Sequence, residues 1–545
     1  MTVSESRDGE QYQVIIAGGG SVGMTMALEL AHRGLRVLMC EASPEGHYHT
    51  AKTNLSNART MEHFRRLGVA ERLRANDPVP AKYHRDVTFV TRANGQVLLN
   101  IEGACEWKER LPISAEVPEW APNQAIEKTL HECLLEKPTV TALFETEVID
   151  FSQDEGGVSV RYNGPNGPRT ATAEYLVLCD GARSRLRTKL NAALYGETLA
   201  QSMSWHFRAP ELTHLFEKTR LSSFTFFLNE DGYADVVLPQ SENDHWVYLS
   251  SPIPPGIDPL SFDDFSKMLF ASIGTEFEIT EATGRAWSSH SRMLPTYNFG
   301  RVLVAGDAAH LTSPFGGFGM NMGIGDAADL GWKLAAVLQG WGGPMLLGTY
   351  SLERREVERF IIDGSAYNQK LLGSELIRPH MEEDSERGEA ARKEVCELLV
   401  AEKMQEFRSL GAQLGYHYYS SPIIVRDVRE APRMDYAEYT PMAVPGCRAP
   451  HIWLDDGSSL FDHFGDGFCL LKLGPSVSTR ALEEAAARYG VPFKVFELDR
   501  QDARDLYERR LILIRPDQHV AWRGDALPDD CDWLINTVRG ALSFA

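Results

Sequence analysis

Short apolar runs alternate with glycine-rich turns and helically spaced apolar positions along the first part of the chain. Gln13–Ala17 is a β-branched run suited to a buried parallel strand. From Ser21 to Arg33 the apolar residues Val22, Met24, Ala27, Leu28, Leu30 and Ala31 fall at helical spacing, and Gly34 closes that helix. Leu35–Cys40 reads as a second strand, and Tyr175–Cys179 and Arg301–Ala305 as two more. A further helix is predicted from about Met320 to Leu338, with Ile324, Ala327, Leu330, Leu334 and Val337 on its apolar side.

The pattern changes between 191 and 284. Thr219–Leu228, Tyr233–Leu238 and His245–Ser250 are short strand-like runs parted by turn residues such as Asn229–Gly232, which predicts an antiparallel sheet. The stretch Glu375–Ser409 is strongly charged and helix-prone, and Glu382-Glu383-Asp384 reads as a solvated face. From about Tyr439 a third pattern begins. It has strands at Phe468–Leu473, Phe493–Leu498 and Leu511–Arg515, with a helix over Leu482–Tyr489.

The first turn carries chemistry. Gly18-Gly19-Gly20-Ser21-Val22-Gly23 joins the first strand to the first helix, and Glu41 ends the second strand, 23 positions after Gly18. In a dinucleotide fold Gly18 permits the tight turn, Gly20 lets the backbone approach a pyrophosphate and Gly23 lets helix pack on strand. Ser21 and Val22 open a helix whose N-terminus offers amide donors and a positive dipole end. An acid at the position of Glu41 accepts hydrogen bonds from an unphosphorylated adenosine ribose, which favours FAD or NAD over bound NADP.

Two later motifs complete the picture: Asp180-Gly181-Ala182-Arg183-Ser184-Arg185-Leu186-Arg187, and Gly306-Asp307-Ala308-Ala309-His310 followed by Pro314-Phe315-Gly316-Gly317-Phe318-Gly319-Met320-Asn321. In this order the three motifs resemble the class A flavoprotein aromatic hydroxylases, the group of para-hydroxybenzoate and phenol hydroxylases. The resemblance implies an α/β fold: a Rossmann-type FAD-binding domain, an inserted antiparallel-sheet substrate domain and a C-terminal thioredoxin-like domain. The FAD domain would be discontinuous, over 1–80, 105–190 and 285–365. The substrate domain would take 81–104 and 191–284, a helical connection 366–438, and the thioredoxin-like domain 439–545. The run Arg515–Arg523 fits that last domain, which lacks a dithiol and so implies structural support or a homodimer contact, not disulfide exchange.

The resemblance also implies roles. Asp307 would meet the ribityl hydroxyls of non-covalent FAD, and Asp180 would contact FAD and take part in handling NADH or NADPH, which binds transiently. The loop from Pro314 through Gly319, Met320 and Asn321 to Met322 would line the pyrimidine side of the isoalloxazine, with Pro314 bordering the substrate. Arg59 resembles an arginine near the flavin, and Gln124 a glutamine that contacts FAD. Helix-terminal amides at Asn321 and Met322 would stabilise the negative charge of reduced flavin. The implied reaction is hydroxylation of a phenolic ring by O2 through a C4a-hydroperoxyflavin. Phe224, Phe226, Tyr233, Trp246 and Phe315 are the candidate pocket walls, and strand alternation turns only some of them inward.

The group that activates the substrate departs from the family. Phenol hydroxylase has an aspartate five residues before the arginine matching Arg59, and here that position is Asn54. An amide hydrogen-bonds a hydroxyl but is no carboxylate base. Lys52, His206 and His290 are the other polar candidates. A free phenol has a pKa of about 10, so Asn54 favours a phenol already acidic through a nitro or acyl substituent. Two alternatives stay open: a tailoring hydroxylase of a polycyclic aromatic polyketide, and a flavin oxidoreductase that inserts no oxygen. A non-catalytic flavoprotein sensor is disfavoured by the intact loop Pro314–Met322. A halogenase is disfavoured because there is no Trp-x-Trp-x-Ile-Pro box.

Composition bounds the rest. The 545 residues carry 76 acids against 55 Lys plus Arg, a net charge of −21, which argues against nucleic acid or an anionic membrane as partner. Local positive charge for NAD(P)H or a phenolate would come from Lys52, Arg183, Arg185, Arg187 and Arg292. The eight cysteines form no Cys-x-x-Cys or Cys-His cluster, so no metal is indicated. The polar N-terminus, the lack of a signal peptide and the absence of a spanning apolar run imply a cytoplasmic protein.

Overall fold

The computed structural model of the chain describes residues 11–542 apart from 49–53, 80–83, 108, 217, 218, 220, 233, 242, 243, 251, 371–373 and 476. A six-stranded sheet runs in the order Asn298–Phe299, Val302–Val304, Tyr175–Leu178, Val14–Ala17, Val37–Cys40, Val140–Leu143. All its pairs are parallel except the first. Helices cover such a sheet, so its central strands are apolar on both faces. Val14–Ala17 and Val37–Cys40 are buried at every residue. The helix Ser21–His32 packs beside Phe318–Leu338, and Gly331 makes room for Glu29, whose Cβ would lie 2.8 Å from a Cβ added there.

An antiparallel meander, Glu147–Gln153, Val158–Gly164 and Gly167–Ala173, sits beside this sheet. It escaped the sequence reading, although Val158, Val160 and Tyr162 are buried at alternate positions and the turn 164–167 begins and ends with glycine.

The second large sheet has eight strands, in the order His310–Leu311, Glu281–Met293, Tyr195–Arg208, His245–Ser250, Ala234–Pro239, Ser222–Leu228, His84–Val90, Val97–Ile101. It is antiparallel save for one pair, because Ser222–Leu228 runs parallel to His84–Val90. The strand Glu281–Met293 passes through position 285, where the FAD domain was expected to resume, and so joins the two units without a linker. The short edge strand His310–Leu311 brings the Gly306-Asp307 turn against the same sheet.

The C-terminal unit follows strand, helix, strand, helix, strand, strand, helix from Phe468 to Val538. Its sheet order is Phe493–Glu497, Phe468–Lys472, Leu511–Ile514, Val520–Gly524, with the first pair parallel and the others antiparallel. This is the thioredoxin-like arrangement, and all eight cysteines of the chain are free.

Buried charge welds that unit to the FAD domain. Arg515, fully buried, donates to Glu353 at 2.7 and 2.8 Å and to Asp329 at 3.1 Å, and Lys333 donates to the same two carboxylates at 2.6 and 2.8 Å. Asp517 completes the group, bonded to Arg515 at 2.6 Å. Three carboxylates thus meet two cations, and burial, with Glu353 and Asp517 nearby, raises the Asp329 carboxyl above its usual range against the pull of Lys333 and Arg515. A second weld joins Arg448 to Glu62, with Nε donating to Oε2 at 2.9 Å. Among the described residues no helix is long and apolar enough to cross a membrane.

The Glu62 weld has a pH signature. Burial opposes ionisation there, yet Arg448 and Arg59 hold Glu62 down at about 2 against an ordinary value of 4.5. A depressed carboxylate contributes stability above its unfolded pKa and loses it as pH falls through the folded one. Thermal melting should therefore fall over the interval from about pH 4.5 toward 2. Glu62→Gln should melt lower at neutral pH, by about 3–5 kcal/mol of stability for an unpaired buried cation, and show a shallower acid dependence than the parent.

Candidate active site

Gly18 is left-handed at φ 103, and a Cβ there would lie 2.3 Å from the Cys179 carbonyl oxygen. A Cβ on Gly23 would lie 2.0 Å from the Gly18 carbonyl oxygen. Neither position tolerates a side chain. Gly20 differs, since a Cβ there would meet nothing closer than Glu127 Oε1 at 3.9 Å. It caps the helix Ser21–His32, whose start has neither a side-chain cap nor an acid in its first turn. The amides of that turn thus have no side-chain cap, and Gly20 leaves room beside them, as anion binding requires.

The flanking side chains are already placed. Glu41 Oε2 accepts from the Gly19 amide at 2.6 Å and Oε1 from Ser43 at 2.7 Å, leaving further lone pairs for ribose hydroxyls. Ser21 donates to Glu127 at 3.3 Å. Gln124 lies one turn before Glu127 on the helix Asn123–Leu135 and is exposed. Burial raises the Asp180 carboxyl, and its Oδ1 is buried without a hydrogen-bond partner among the described residues. Arg187 donates to the Ala308 carbonyl at 2.9 Å, which ties the Asp180 segment to the Gly306-Asp307 turn.

That turn is held from behind. The Gly306 amide donates to Asp326 Oδ2 at 2.9 Å, and Arg354 Nε donates to Asp326 Oδ1 at 2.9 Å. His310 lies 2.8 Å from Asp326. Glu358, bonded to Tyr297, is raised well above its usual range by burial and by Asp326, so the two acids share one charge. Asp307 stays half-buried in front of this network. Val22 fills the space between the two motifs: a Cβ on Gly306 would come within 3.1 Å of it, and one on Gly323 within 2.5 Å.

The loop after it corrects one expectation. Gly316 and Gly317 are both left-handed, at φ 100 and 69, and the helix begins at Phe318, not near Met320. The unsatisfied amides of its first turn are therefore those of Phe318, Gly319 and Met320, while Asn321 and Met322 already lie within the helical hydrogen-bond ladder. The Asn321 side chain acts otherwise: it donates to the carbonyls of Gly317 at 2.6 Å and Leu55 at 2.9 Å and accepts from the Asn57 amide at 2.9 Å. Met322 is buried, and its carbonyl accepts from Arg354. Pro314 is exposed.

Arg59 is tied to remote partners. Its guanidinium donates to Glu62 at 2.9 Å and to Asp517 O at 2.6 Å, with Gln518 as a third partner. Its Nε is buried without a hydrogen-bond partner among the described residues.

The eight-stranded sheet sorts the pocket candidates by strand parity. Phe226 pairs with Val236, Val236 with Leu249 and Leu249 with Ser204, so Phe224, Phe226 and His206 share one face. Phe224 meets Trp120 edge-on at 4.6 Å, and Phe226 stacks on Phe89 at 4.7 Å. Phe315 packs into the same apolar cluster. Trp246 is a second correction. It pairs with Phe207 on the opposite face, donates to Ala209 O at 3.1 Å and is fully buried. That face is covered by the helix Phe262–Ile273, where Phe265 stacks on Trp205 at 4.5 Å. Tyr233 and Lys52 lie outside the described residues.

The polar candidates do not converge. His206 pairs with Thr283 and His290 with Thr198, eight residues apart along one strand, about 26 Å at roughly 3.3 Å per residue. Burial and His245 hold His206 down at about 4, so it is neutral near pH 7. His290 is lowered by burial and by Arg292. Asn54 is half-buried where the ladder Leu55–Ser56 with Glu119–Trp120 begins, and its carbonyl accepts from Ala121 at 2.9 Å. Trp120, which joins this ladder to Phe224, gave no sequence signal, being a lone aromatic outside any periodic run.

Comparison with known proteins agrees with this geometry. Residues 11–365 match the FAD binding domain family, and residues 442–541 match the aromatic-ring hydroxylase C-terminal family. The chain is 31% identical to the FAD-dependent monooxygenase apdD of Emericella nidulans, over 97% of this chain and 90% of that one. It is 28% identical to 4-methyl-5-nitrocatechol 5-monooxygenase of a Burkholderia species, over 97% of each. Among solved structures, RebC with bound 7-carboxy-K252c matches with a TM-score of 0.89 at 33% identity, over 98% and 99% of the two chains. Aklavinone-11 hydroxylase in complex with FAD and aklavinone matches at 0.80 and 25%, over 98% and 100%. The chain belongs to the FAD-dependent aromatic-ring monooxygenases. FAD fits the residues present: a cradle closed to side chains at Gly18 and Gly23 but open at Gly20, a fixed carboxylate at Glu41 and an unpartnered buried acceptor at Asp180.

The cradle makes a sharp prediction. Gly23→Ala forces its Cβ onto the Gly18 carbonyl, an overpacking of about 1–3 kcal/mol. Titration of the apoprotein by flavin fluorescence should show FAD binding weakened by roughly tenfold or more.

Proposed function

We propose that this monooxygenase hydroxylates a phenol whose hydroxyl is already acidic, such as a nitro- or acyl-substituted one, using O2 and NADH or NADPH. The observation that carries the reading is Asn54. It precedes Leu55, whose ladder partner Trp120 meets Phe224 edge-on, and it holds the position where phenol hydroxylases have a carboxylate. His206 is neutral and His290 lies far along the strand, so neither replaces that base. A relative named for a nitro-substituted catechol supports the same substrate class.

When bound, FAD supplies the two-electron chemistry by which O2 delivers one oxygen atom to an aromatic carbon. The chain's own residues do the rest. The amides from Gly20 onward would hold the diphosphate, Glu41 the adenosine ribose and Asp307 the ribityl hydroxyls, with Asp180 and Gln124 as further FAD contacts. The free amides of Phe318, Gly319 and Met320 would stabilise negative charge on the ring. Phe224, Phe226, Phe315 and Trp120 form an apolar wall that excludes water. Asn54 orients the substrate hydroxyl by a hydrogen bond. The exposed Arg183 and Arg185, beside Asp180, offer positive charge to the phosphates of NAD(P)H.

A second reading, hydroxylation of a polycyclic aromatic, is favoured by the solved structures with 7-carboxy-K252c and aklavinone bound. The free cysteines fit a cytoplasmic protein. A homodimer contact stays the expectation for the C-terminal unit, whose helix Cys531–Val538 exposes Trp533.

The test is a panel of simple, nitro-substituted, acyl-substituted and polycyclic phenols, scored for stimulated NAD(P)H oxidation and for incorporation of labelled dioxygen. Electron-poor phenols should turn over best and gain one oxygen atom. Preference for polycyclic phenols would move the assignment to the second reading, and hydrogen peroxide with no hydroxylated product from any phenol would refute oxygen insertion. Asn54→Asp should raise kcat/KM for simple phenols by about tenfold or more, toward the 10²-fold range of general-base catalysis, and leave nitrophenols little changed.

A further inference from the structure

The loop Pro314–Gly317 turns through two left-handed glycines just before the helix Phe318–Leu338, and its outer side is met by the connecting segment. Leu399–Lys403 forms a π-helical turn between the helices Glu386–Leu398 and Met404–Phe407, an irregularity that concentrates at functional sites. The turn buries an ion pair, Lys403 with Glu406, at 1% and 5% exposure. Lys403 Nζ donates to the Asn368 carbonyl at 2.9 Å and lies 4.8 Å from the centre of the Phe315 ring. The Gly316 amide is among the groups that favour the charged form of Glu406 against its burial. Tyr436 closes the third side: its hydroxyl lies 3.0 Å from where a Gly316 Cβ would stand, and its ring meets Phe318 edge-on at 5.7 Å.

Both charges are held against their preference. Burial lowers Lys403 and raises Glu406. An apolar pair of similar volume would serve packing as well or better. What the pair adds is direction: Lys403 sits over the Phe315 ring, and the charge of Glu406 is favoured by the next residue's amide. Phe315 in turn packs against the apolar face that carries Phe224.

We propose that Lys403 and Glu406 are positioning residues that set the loop Pro314–Gly317 and the Phe315 ring against the substrate face, and so govern how fully NAD(P)H oxidation is coupled to hydroxylation. The proposal rests on the functional reading above, in which that loop borders the flavin ring. The coupled reaction consumes NAD(P)H, a proton, O2 and the aromatic, and yields NAD(P)+, the hydroxylated ring and water. The uncoupled one converts NAD(P)H, a proton and O2 to NAD(P)+ and hydrogen peroxide, leaving the aromatic unchanged. A shifted loop favours the second.

The experiment compares holoenzyme carrying Lys403→Met, Glu406→Gln or both with the parent. It measures FAD affinity, iodide quenching of the bound flavin and the ratio of peroxide to hydroxylated product. Each single variant should keep its FAD affinity, show stronger quenching and raise the peroxide-to-product ratio about tenfold, the scale of a displaced reacting group. The double variant, with no unpaired charge, should recover much of the coupling. Unchanged coupling and quenching in the singles would overturn the proposal, as would FAD affinity and turnover falling together at a fixed ratio. If Lys403→Met does not fold, Glu406→Gln and the double variant decide. If the parent hydroxylates no aromatic, the functional reading fails, and quenching alone decides the clamp: stronger in the singles supports it, unchanged overturns it.

Discussion

Val22 stands between Gly306 and Gly323, at distances that leave neither any room for a Cβ without a shift. One residue further on, Gly23 meets the Gly18 carbonyl, and Gly18 meets Cys179. The first turn of one helix is thereby fixed against three chain segments that are distant in sequence. Those segments carry Asp180, Asp307 and the first turns of the helix Phe318–Leu338. The site for a long cofactor exists because four glycines give up their side chains at one crossing, and the near-continuous apolar strands beneath it supply the rigidity.

Around that crossing the protein spends buried charge on placement. Asp326 anchors the Gly306 amide, and Arg354 joins it to Met322 O at the flavin helix. Arg515 and Arg448 carry the C-terminal unit onto the same frame through Glu353, Asp329 and Glu62. A unit with thioredoxin-like topology but no dithiol is thus committed to support, through the turn 515–519 that pattern reading singled out without its partners. Buried ion pairs are a weak source of net stability, and here each holds a backbone group or a neighbouring segment in one position.

What could be read from the chain was what local chemistry requires. The first strand, cradle, helix and second strand lie within thirty residues and need nothing remote, so Gly18, Gly23 and Glu41 stand where their pattern put them. The start of the flavin helix was displaced because Gly316 and Gly317 were read as part of a loop of unknown shape; their two left-handed residues end the loop earlier. Strand parity for Trp246 could not be read before the pairing with Phe207 was known, since one step of register exchanges the faces. The partners of Arg59, Asp517 and Gln518, could not be read from the chain because they lie more than four hundred and fifty positions away. Lys403 and Glu406 were invisible for the same reason, since an i, i+3 charge pair in a charged segment looks like solvated surface until the fold brings Phe315 to it.

The contact at Val22 is the point on which the whole site turns. The direct measurement is the FAD affinity of apoprotein carrying Gly323→Ala, alone and combined with Val22→Ala. Steric locking of the two motifs predicts that the single substitution weakens FAD binding by about tenfold, as overpacking of 1–3 kcal/mol requires, and that trimming Val22 restores most of it. Unchanged affinity in the single variant, or a double variant no better than the single, would contradict a flavin site built on that contact.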